Sequence, residues 1–217
     1  MDTEAAFTNA RLQMVEEQIV KRGIKDLRVL DAIRNIPRHK FIDIKSRSEA
    51  YLDHPVSVGF GQTISQPYIV AYMTEALRIK PGDRILEIGT GCGYQTAVLA
   101  SLCHEVFTVE IIPELIAQAK EILLELGFRN VNYLTGDGTF GWSIEPIEFD
   151  AIICAAAPRA IPETLTAQLR EGGRMIIPVG EGTQNLVLIE KKNGKLESRN
   201  LLPVRFVPMT GAVDSAS

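Results

Sequence analysis

Ile85-Leu86-Glu87-Ile88-Gly89-Thr90-Gly91-Cys92-Gly93-Tyr94-Gln95 is the stretch on which the fold turns. A short strand, Arg84 to Ile88, runs into three glycines at alternate positions, and helical spacing resumes from Gly93 to Leu102. Glycines at such a junction let the backbone turn sharply and bring a ligand against main-chain N–H groups at a helix start. Downstream the pattern alternates. Strands are expected at 104–110, 131–135, 149–154 and 173–179, and helices at Pro113 to Leu126, closed by Gly127, and at Pro162 to Arg170. Strands separated by helices of this length predict βαβ units and a parallel sheet. The tail departs from that rule, because Asn185 to Lys191 and Leu196 to Val207 flank Asn193-Gly194, the pair favoured in two-residue hairpin turns. The expected fold is therefore α/β: a doubly wound, mostly parallel seven-stranded sheet ending in an antiparallel hairpin.

Upstream of the strand the chain reads as helical. Leu12, Val15, Ile19 and Val20 recur at helical spacing between Asn9 and Lys21, with Gly23 as the stop. A second helix starts on Asp26 as N-cap and must end before Pro37. Periodicity is lost from Ala50 to Gly61, which predicts loop or short extended pieces. A third helix is expected from about Gln66 to Arg78, with Ser65 placed to cap it and Pro67 in its first turn. The expected organisation is a single domain over 1–217, in which 1–80 form an N-terminal helical and substrate-loop region. Residues 81–217 then form an α/β core with its C-terminal hairpin and loop.

The chain has 217 residues, 46% hydrophobic and 23% charged, enough for a real core. With 23 Lys+Arg against 27 Asp+Glu the net charge is −4, and no basic block stands out, so a nucleic-acid partner is not expected. The acidic start Met1-Asp2-Thr3-Glu4 lacks the positive charge of a secretory signal, and no apolar run approaches the ~18 residues of a membrane span. A cytoplasmic protein without a membrane partner is expected, and a monomer. Cys92, Cys103 and Cys154 form no C-x-x-C pair and have no histidine at ligand spacing, so free thiols and no metal site are expected.

Three elements identify the ligand. First, the glycine loop is G-x-G-x-G, with Tyr94 where a dinucleotide fingerprint places its third glycine, and it is preceded by Glu87. An acid there repels a pyrophosphate and suits a ligand with a cationic amino-acid end. Second, Glu110 ends the next strand about twenty positions beyond Gly89, where a carboxylate can accept both ribose hydroxyls. Third, Asp137, in Thr135-Gly136-Asp137-Gly138-Thr139 after the third strand, can accept from an adenine amino group while the glycines admit the ring. Taken alone, that segment reads first as an ordinary Asp-Gly turn, and it is the register with the glycine loop and Glu110 that makes it fit adenine. All three fall at carboxyl ends of consecutive strands, and S-adenosylmethionine fits them: two positive centres, a ribose and no phosphate.

The sequence resembles the protein-L-isoaspartate (D-aspartate) O-methyltransferases over nearly its whole length, to Val204-Arg205-Phe206-Val207-Pro208-Met209-Thr210. Its most specific marks are Gly61-Gln62-Thr63-Ile64-Ser65-Gln66-Pro67 and the segment from Leu86 to Gln95. Ala50-Tyr51-Leu52-Asp53 and Arg174-Met175-Ile176-Ile177-Pro178-Val179-Gly180 are also similar. The resemblance implies a Rossmann-like methyltransferase fold and methyl transfer from S-adenosyl-L-methionine to the free α-carboxylate of L-isoaspartyl residues in damaged proteins and peptides. S-adenosyl-L-homocysteine is the product, and the ester leads through a succinimide back towards aspartyl. It further implies that Ser65 is the active-site serine. The implied cofactor positions are Thr63, Ile64, Gly89, Gly91, Glu110, Asp137, Gly138 and Thr210. Two departures stand out: Cys92 sits where serine is common, and the chain stops soon after Thr210.

The chemistry asks little of the protein. A carboxylate is already ionised at pH 7, so no general base is required, and the work left is alignment and exclusion of water. His39, His54 and His104 are accordingly scattered, and nothing near Cys92 or Cys154 lowers a thiol pKa. Ser65 has two compatible roles, as a helix cap and as a donor to an anion. Asp53 is expected to fix the loop, and Tyr68 to be either core or cofactor-facing. A small-molecule acid methyltransferase and a non-catalytic nucleoside-binding module are the alternative functions.

Overall fold

The computed structural model describes residues 3–212. Helix α1 spans Glu4–Met14 and starts earlier than the apolar spacing alone predicts, because the Thr3 hydroxyl accepts from the Ala6 amide at 3.2 Å and Glu4 suits the positive helix end. It continues through a π-turn, Val15–Ile19, and a 3-10 turn, Val20–Arg22, to the left-handed Gly23 that stops it. Helix α2, Leu27–Asn35, is capped by the Asp26 carboxylate on the Arg28 amide at 2.9 Å and ends before Pro37. It buries Val29, Leu30 and Ile33, each worth roughly 1.5–3 kcal/mol of removed apolar surface. Within the aperiodic stretch, Val56–Gly59 (β1) pairs antiparallel with Gln62–Ile64 (β2).

Helix α3, Pro67–Leu77, corrects one expectation. Gln66 occupies the N-cap position with no side-chain cap, and Ser65 lies one residue outside it. Pro67 at the first helical position presets the backbone and has no N–H to satisfy, so the helix starts without a hydroxyl cap. The Gln66 side chain instead donates to Asp53 Oδ1 at 2.8 Å and to the Asp53 carbonyl at 3.1 Å.

The main sheet follows: β3 Arg84–Ile88, α4 Tyr94–Ala100, β4 Glu105–Glu110, α5 Pro113–Glu125, β5 Val131–Thr135, β6 Phe149–Cys154, α6 Glu163–Ala167, β7 Leu169–Val179, β8 Gln184–Lys192 and β9 Lys195–Val204. Its order is β5-β4-β3-β6-β7-β8-β9, with parallel pairing from β5 to β7 and antiparallel pairing through β8 and β9. Helix α6 is shorter than expected because Leu169 already pairs with Phe149, ahead of an irregularity in the β6–β7 register. At the hairpin tip Asn193 and Gly194 take φ +53° and +72°, the left-handed pair of a two-residue turn. Both amides donate to the Glu171 carboxylate, that of Gly194 at 3.0 Å.

Strand alternation divides the core. Ile85, Val106, Ala151 and Ile176 face one apolar cluster, which includes the buried residues of the N-terminal helices and of α3 and α4. Leu86, Phe107, Ile152 and Met175 face the other, with Trp142 and Leu165. The chain order reverses direction across the sheet between β3 and β6, which places a crevice at their carboxyl ends.

Candidate active site

At that crevice Gly93, with φ +89°, leads straight into α4, and an added Cβ would meet Ala119 Cβ at 3.0 Å. The turn therefore needs glycine for backbone shape and for close packing of α5. Gly89 and Gly91 line a narrow cleft with Glu110, Ile111, Gly138 and Thr210. Gly138 is as tightly placed: a Cβ there would lie 2.4 Å from Ile88 Cγ2.

Glu110 is buried at the end of β4, where Oε2 accepts from the Gly91 amide at 2.8 Å and Oε1 from the Ile112 amide at 3.0 Å. Its carboxylate thus braces the glycine loop, and each oxygen keeps a further lone pair for a hydroxyl. Asp137 is more fully engaged. Oδ1 accepts from the Thr139 amide at 2.9 Å and Oδ2 from the Ala212 amide at 2.7 Å, so this side chain ties the C-terminal segment down beside the cleft. Burial pushes its carboxyl up, but the two amides together outweigh that and hold it below the ordinary value.

Glu87 departs most from its expected setting. On the pleated strand it points to the same face as Ile85, beneath α4, and it is completely buried. Oε2 accepts from Thr96 Oγ1 at 2.6 Å and from Thr108 Oγ1 at 2.7 Å, and the Thr108 hydroxyl meets Thr90 Oγ1 at 2.7 Å. Oε1 has no partner among the described residues. Burial raises its pKa to about 8, against the pull of the two threonine hydroxyls, and Glu110 adds to the rise. Burial thus favours the neutral form of the acid before the loop, which lies beneath α4 and not open in the cleft. It still borders a second narrow cleft with Gly89, Gln95, Ile64 and Ser65.

A larger cavity of about 540 Å³ lies on the far side of Thr63, and Ser65, Gln66, Ile69 and Phe206 are among its walls. Thr63 and Ala155 line this cavity and both clefts, so the three spaces adjoin. The Ser65 hydroxyl makes no hydrogen bond among the described residues. Asp53 fixes the loop before it, taking Arg22 Nη1 at 3.2 Å besides Gln66, and the Arg22 guanidinium covers the Tyr68 ring at 3.5 Å. His39 is buried against Tyr51 and His54 contacts the Pro55 carbonyl, and neither lines the cavity or the clefts. Burial raises the Cys92 thiol to about 11 and pushes Cys154 up further, which leaves both inert. Among the described residues no three His, Cys, Asp or Glu side chains form a metal cluster, and no helix is long and apolar enough to cross a membrane.

The structure thus brings together the glycine loop, Glu87, Glu110, Gly138, Thr210, Thr63, Ile64 and Ser65, with Asp137 at the edge. Sequence reasoning missed Gln62, Ile111, Ala155 and the walls from Pro203 to Val207. Ala155 had a usable signal, since it follows β6 directly at the point where strand order reverses. The β9 walls had none, because they arrive through a hairpin more than a hundred residues downstream.

Comparison with known proteins settles the lineage. The family model described as protein-L-isoaspartate(D-aspartate) O-methyltransferase (PCMT) matches residues 9–214. The chain belongs to this family. It is 52% identical over 209 residues to the protein-L-isoaspartate O-methyltransferase of Opitutus terrae, covering 95% of this chain and 89% of that one. The Picosynechococcus sp. protein of the same name is 50% identical over 201 residues, covering 93% and 90%. Among solved structures, a protein-L-isoaspartate O-methyltransferase superposes with TM-score 0.84 at 30% identity, over 94% of this chain and 67% of that one. A Plasmodium falciparum structure described as a member of the same family, in complex with S-adenosyl-L-homocysteine, gives TM-score 0.79 at 29% identity, over 92% and 98%. The sheet with its antiparallel end is thus the family's own methyltransferase architecture.

Proposed function

We propose that this protein repairs damaged proteins by transferring a methyl group from S-adenosyl-L-methionine to the free α-carboxylate of L-isoaspartyl residues. One observation carries the proposal most directly: the clefts bounded by the glycine loop and Glu110 adjoin, across shared walls at Thr63 and Ala155, the cavity that Ser65 lines. A transferase needs that geometry, with two substrates entering separate spaces and meeting at one wall.

The donor set suits the cofactor. A buried carboxyl oxygen without a partner, Glu87 Oε1, borders one cleft, and Gly138 offers a surface that any Cβ would block. When bound, the sulfonium supplies an electrophilic methyl carbon. Glu110 would accept from ribose hydroxyls, Gly89, Gly91, Gly138 and Thr210 would wall the nucleoside, and the buried Glu87 carboxyl would lie beneath the cationic amino-acid end, which favours its ionised form. Thr63 and Ile64 separate the cofactor from the acceptor. The Ser65 hydroxyl donates to one oxygen of the acceptor carboxylate and leaves the other free to attack, so it orients and does not itself become a nucleophile. Asp137 holds the C-terminal segment across the adenine end. No residue has to move a proton, because the acceptor is ionised at pH 7. Oxygen, carbon and sulfur need only be brought into line out of water.

In this scheme residues 1–80 shape the acceptor side and 81–217 the cofactor side of one domain. The partners are isoaspartyl proteins in the cytoplasm, met by a monomer without nucleic acid or membrane. An isoaspartyl peptide assayed beside its aspartyl twin and a small dicarboxylic acid is the test. Methyl ester should form on the isoaspartyl peptide alone. Equal labelling of the twins refutes repair, and labelling of the small acid alone points to a metabolite methyltransferase.

A further inference from the structure

The walls of the larger cavity are apolar or neutral with one exception. Arg205, just beyond β9, is the single charged side chain among them, and no acidic residue faces it there. It is exposed and forms no ion pair or side-chain hydrogen bond among the described residues. Arg22 and Arg159, by contrast, are committed to Asp53 and Glu181. An unengaged guanidinium on the rim of the acceptor cavity is available to an anion that the substrate brings.

Two anions could answer it. The first is the acceptor carboxylate itself, but that group loses its charge as the methyl ester forms. A direct ion pair would hold the ground state more strongly than the transition state and slow the transfer. The second is a neighbouring side chain of the same substrate, whose charge does not change in the reaction. Adjacent residues lie about 3.8 Å apart along a chain, so a side chain one or two residues from the acceptor stays within reach of a long arginine on the same cavity.

Resting on the proposed repair function, we infer that Arg205 is a specificity-determining residue that selects isoaspartyl sites with an acidic side chain one or two residues away. Its contribution is to capture and not to chemistry. An exposed ion pair gives about a two- to fivefold preference, screened by salt.

The test uses three isoaspartyl peptides that differ only in one neighbour, Asp, Asn or Lys, with the full-length protein. Wild type should show KM rising in the order Asp, Asn, Lys by about two- to fivefold per step, with kcat changing less than KM, and high salt should compress the series. Arg205→Gln should erase the order. Arg199→Gln, which removes the same charge from β9 outside the cavity, should keep it. Binding of the same labelled peptides in the presence of S-adenosyl-L-homocysteine, read by fluorescence anisotropy, reports the order without turnover. A flat series in wild type, or an order that survives Arg205→Gln, overturns the inference. An order in binding with no methyl transfer to any peptide leaves the Arg205 subsite standing and removes the repair function instead.

Discussion

The cofactor clefts and the acceptor cavity share two walls, yet they are built in different ways. Gly89, Gly91, Glu110 and Gly138 come from the ends of three consecutive strands, within a segment of the chain that forms one local α/β unit. The acceptor cavity joins Pro55 and Ser65, ahead of the sheet, to Phe206 and Val207 at its far end. Local construction yields short hydrogen bonds to backbone amides, as from Gly91 and Ile112 to Glu110 and from Thr139 to Asp137. Distant construction leaves side chains such as Ser65 and Arg205 without internal partners, and those are free to meet a substrate. The contrast predicts that damage on the cofactor side shows in stability and affinity together, whereas damage on the acceptor side shows in turnover and selectivity.

The largest effect should come from Glu87. Burial lifts its carboxyl to about 8 from the ordinary 4.5, so the folded state holds its proton more tightly than the unfolded state does. The stability contributed by this proton is complete below pH 4.5 and is lost as pH rises through 8. Glu87→Gln keeps a neutral side chain for Thr96 and Thr108 and removes the dependence. The variant should match wild type near pH 4 and be more stable by up to about 3 kcal/mol at pH 7, by urea unfolding. Parallel pH profiles for the two proteins would exclude a buried neutral acid, while cofactor affinity, measured beside them, should fall in the variant.

Glu110→Ala is the next test. It removes an acceptor for ribose and releases the Gly91 amide, so cofactor affinity should weaken about ten- to a hundredfold, or roughly 1.5–3 kcal/mol. Isothermal calorimetry with S-adenosyl-L-homocysteine reads this, and an unchanged Kd in a folded variant refutes the assignment. Stability should drop too, which marks the cofactor side of the contrast.

Ser65→Ala probes the opposite side. Because Gln66 and not Ser65 occupies the cap position of α3, the change should cost less than about 0.5 kcal/mol of stability, below the ~1 kcal/mol typical of a lost cap. Turnover should fall about tenfold with cofactor affinity preserved. A lower melting temperature with normal turnover would reverse that assignment and restore the serine to a capping role.

The smallest effect is a rate over days. Asn193-Gly194 is the pair most open to succinimide formation, yet Glu171 holds the Gly194 amide that would have to attack. Glu171→Gln weakens that hold and should raise the rate of isoaspartate formation at position 193 about two- to threefold, the order of an exposed charge-assisted hydrogen bond. Peptide mapping of aged protein reads it. Equal rates in the two proteins would mean that the turn geometry alone protects the site.

Much of this was legible before any coordinates. Gly23, Asp26 and the pairs of β-run and helix from Arg84 to Leu126 follow from caps, glycines and period, which are properties of neighbouring residues. Asn193-Gly194 predicted its hairpin because φ > 0 at two successive positions restricts the choice of residues. Ser65 was misread as a cap because a serine before a helix carries the same local signal whether or not its hydroxyl is used. The choice was made by Pro67, and by Asp53 drawing off the neighbouring Gln66.

The amino-acid sequence by itself determined the α/β class, the glycine loop and the three strand-end positions that mark a nucleoside site, since each rests on backbone preferences acting over a few residues. Only the tertiary structure decided the burial of Glu87, the engagement of Asp137 by Ala212 and the arrival of Arg205 at the cavity that Ser65 also lines. Burial sets a carboxyl's charge state, and burial is fixed by α4 and β4 closing over β3. The presence of residues 65 and 205 on one cavity is fixed by sheet order, a long-range pairing that no local pattern encodes.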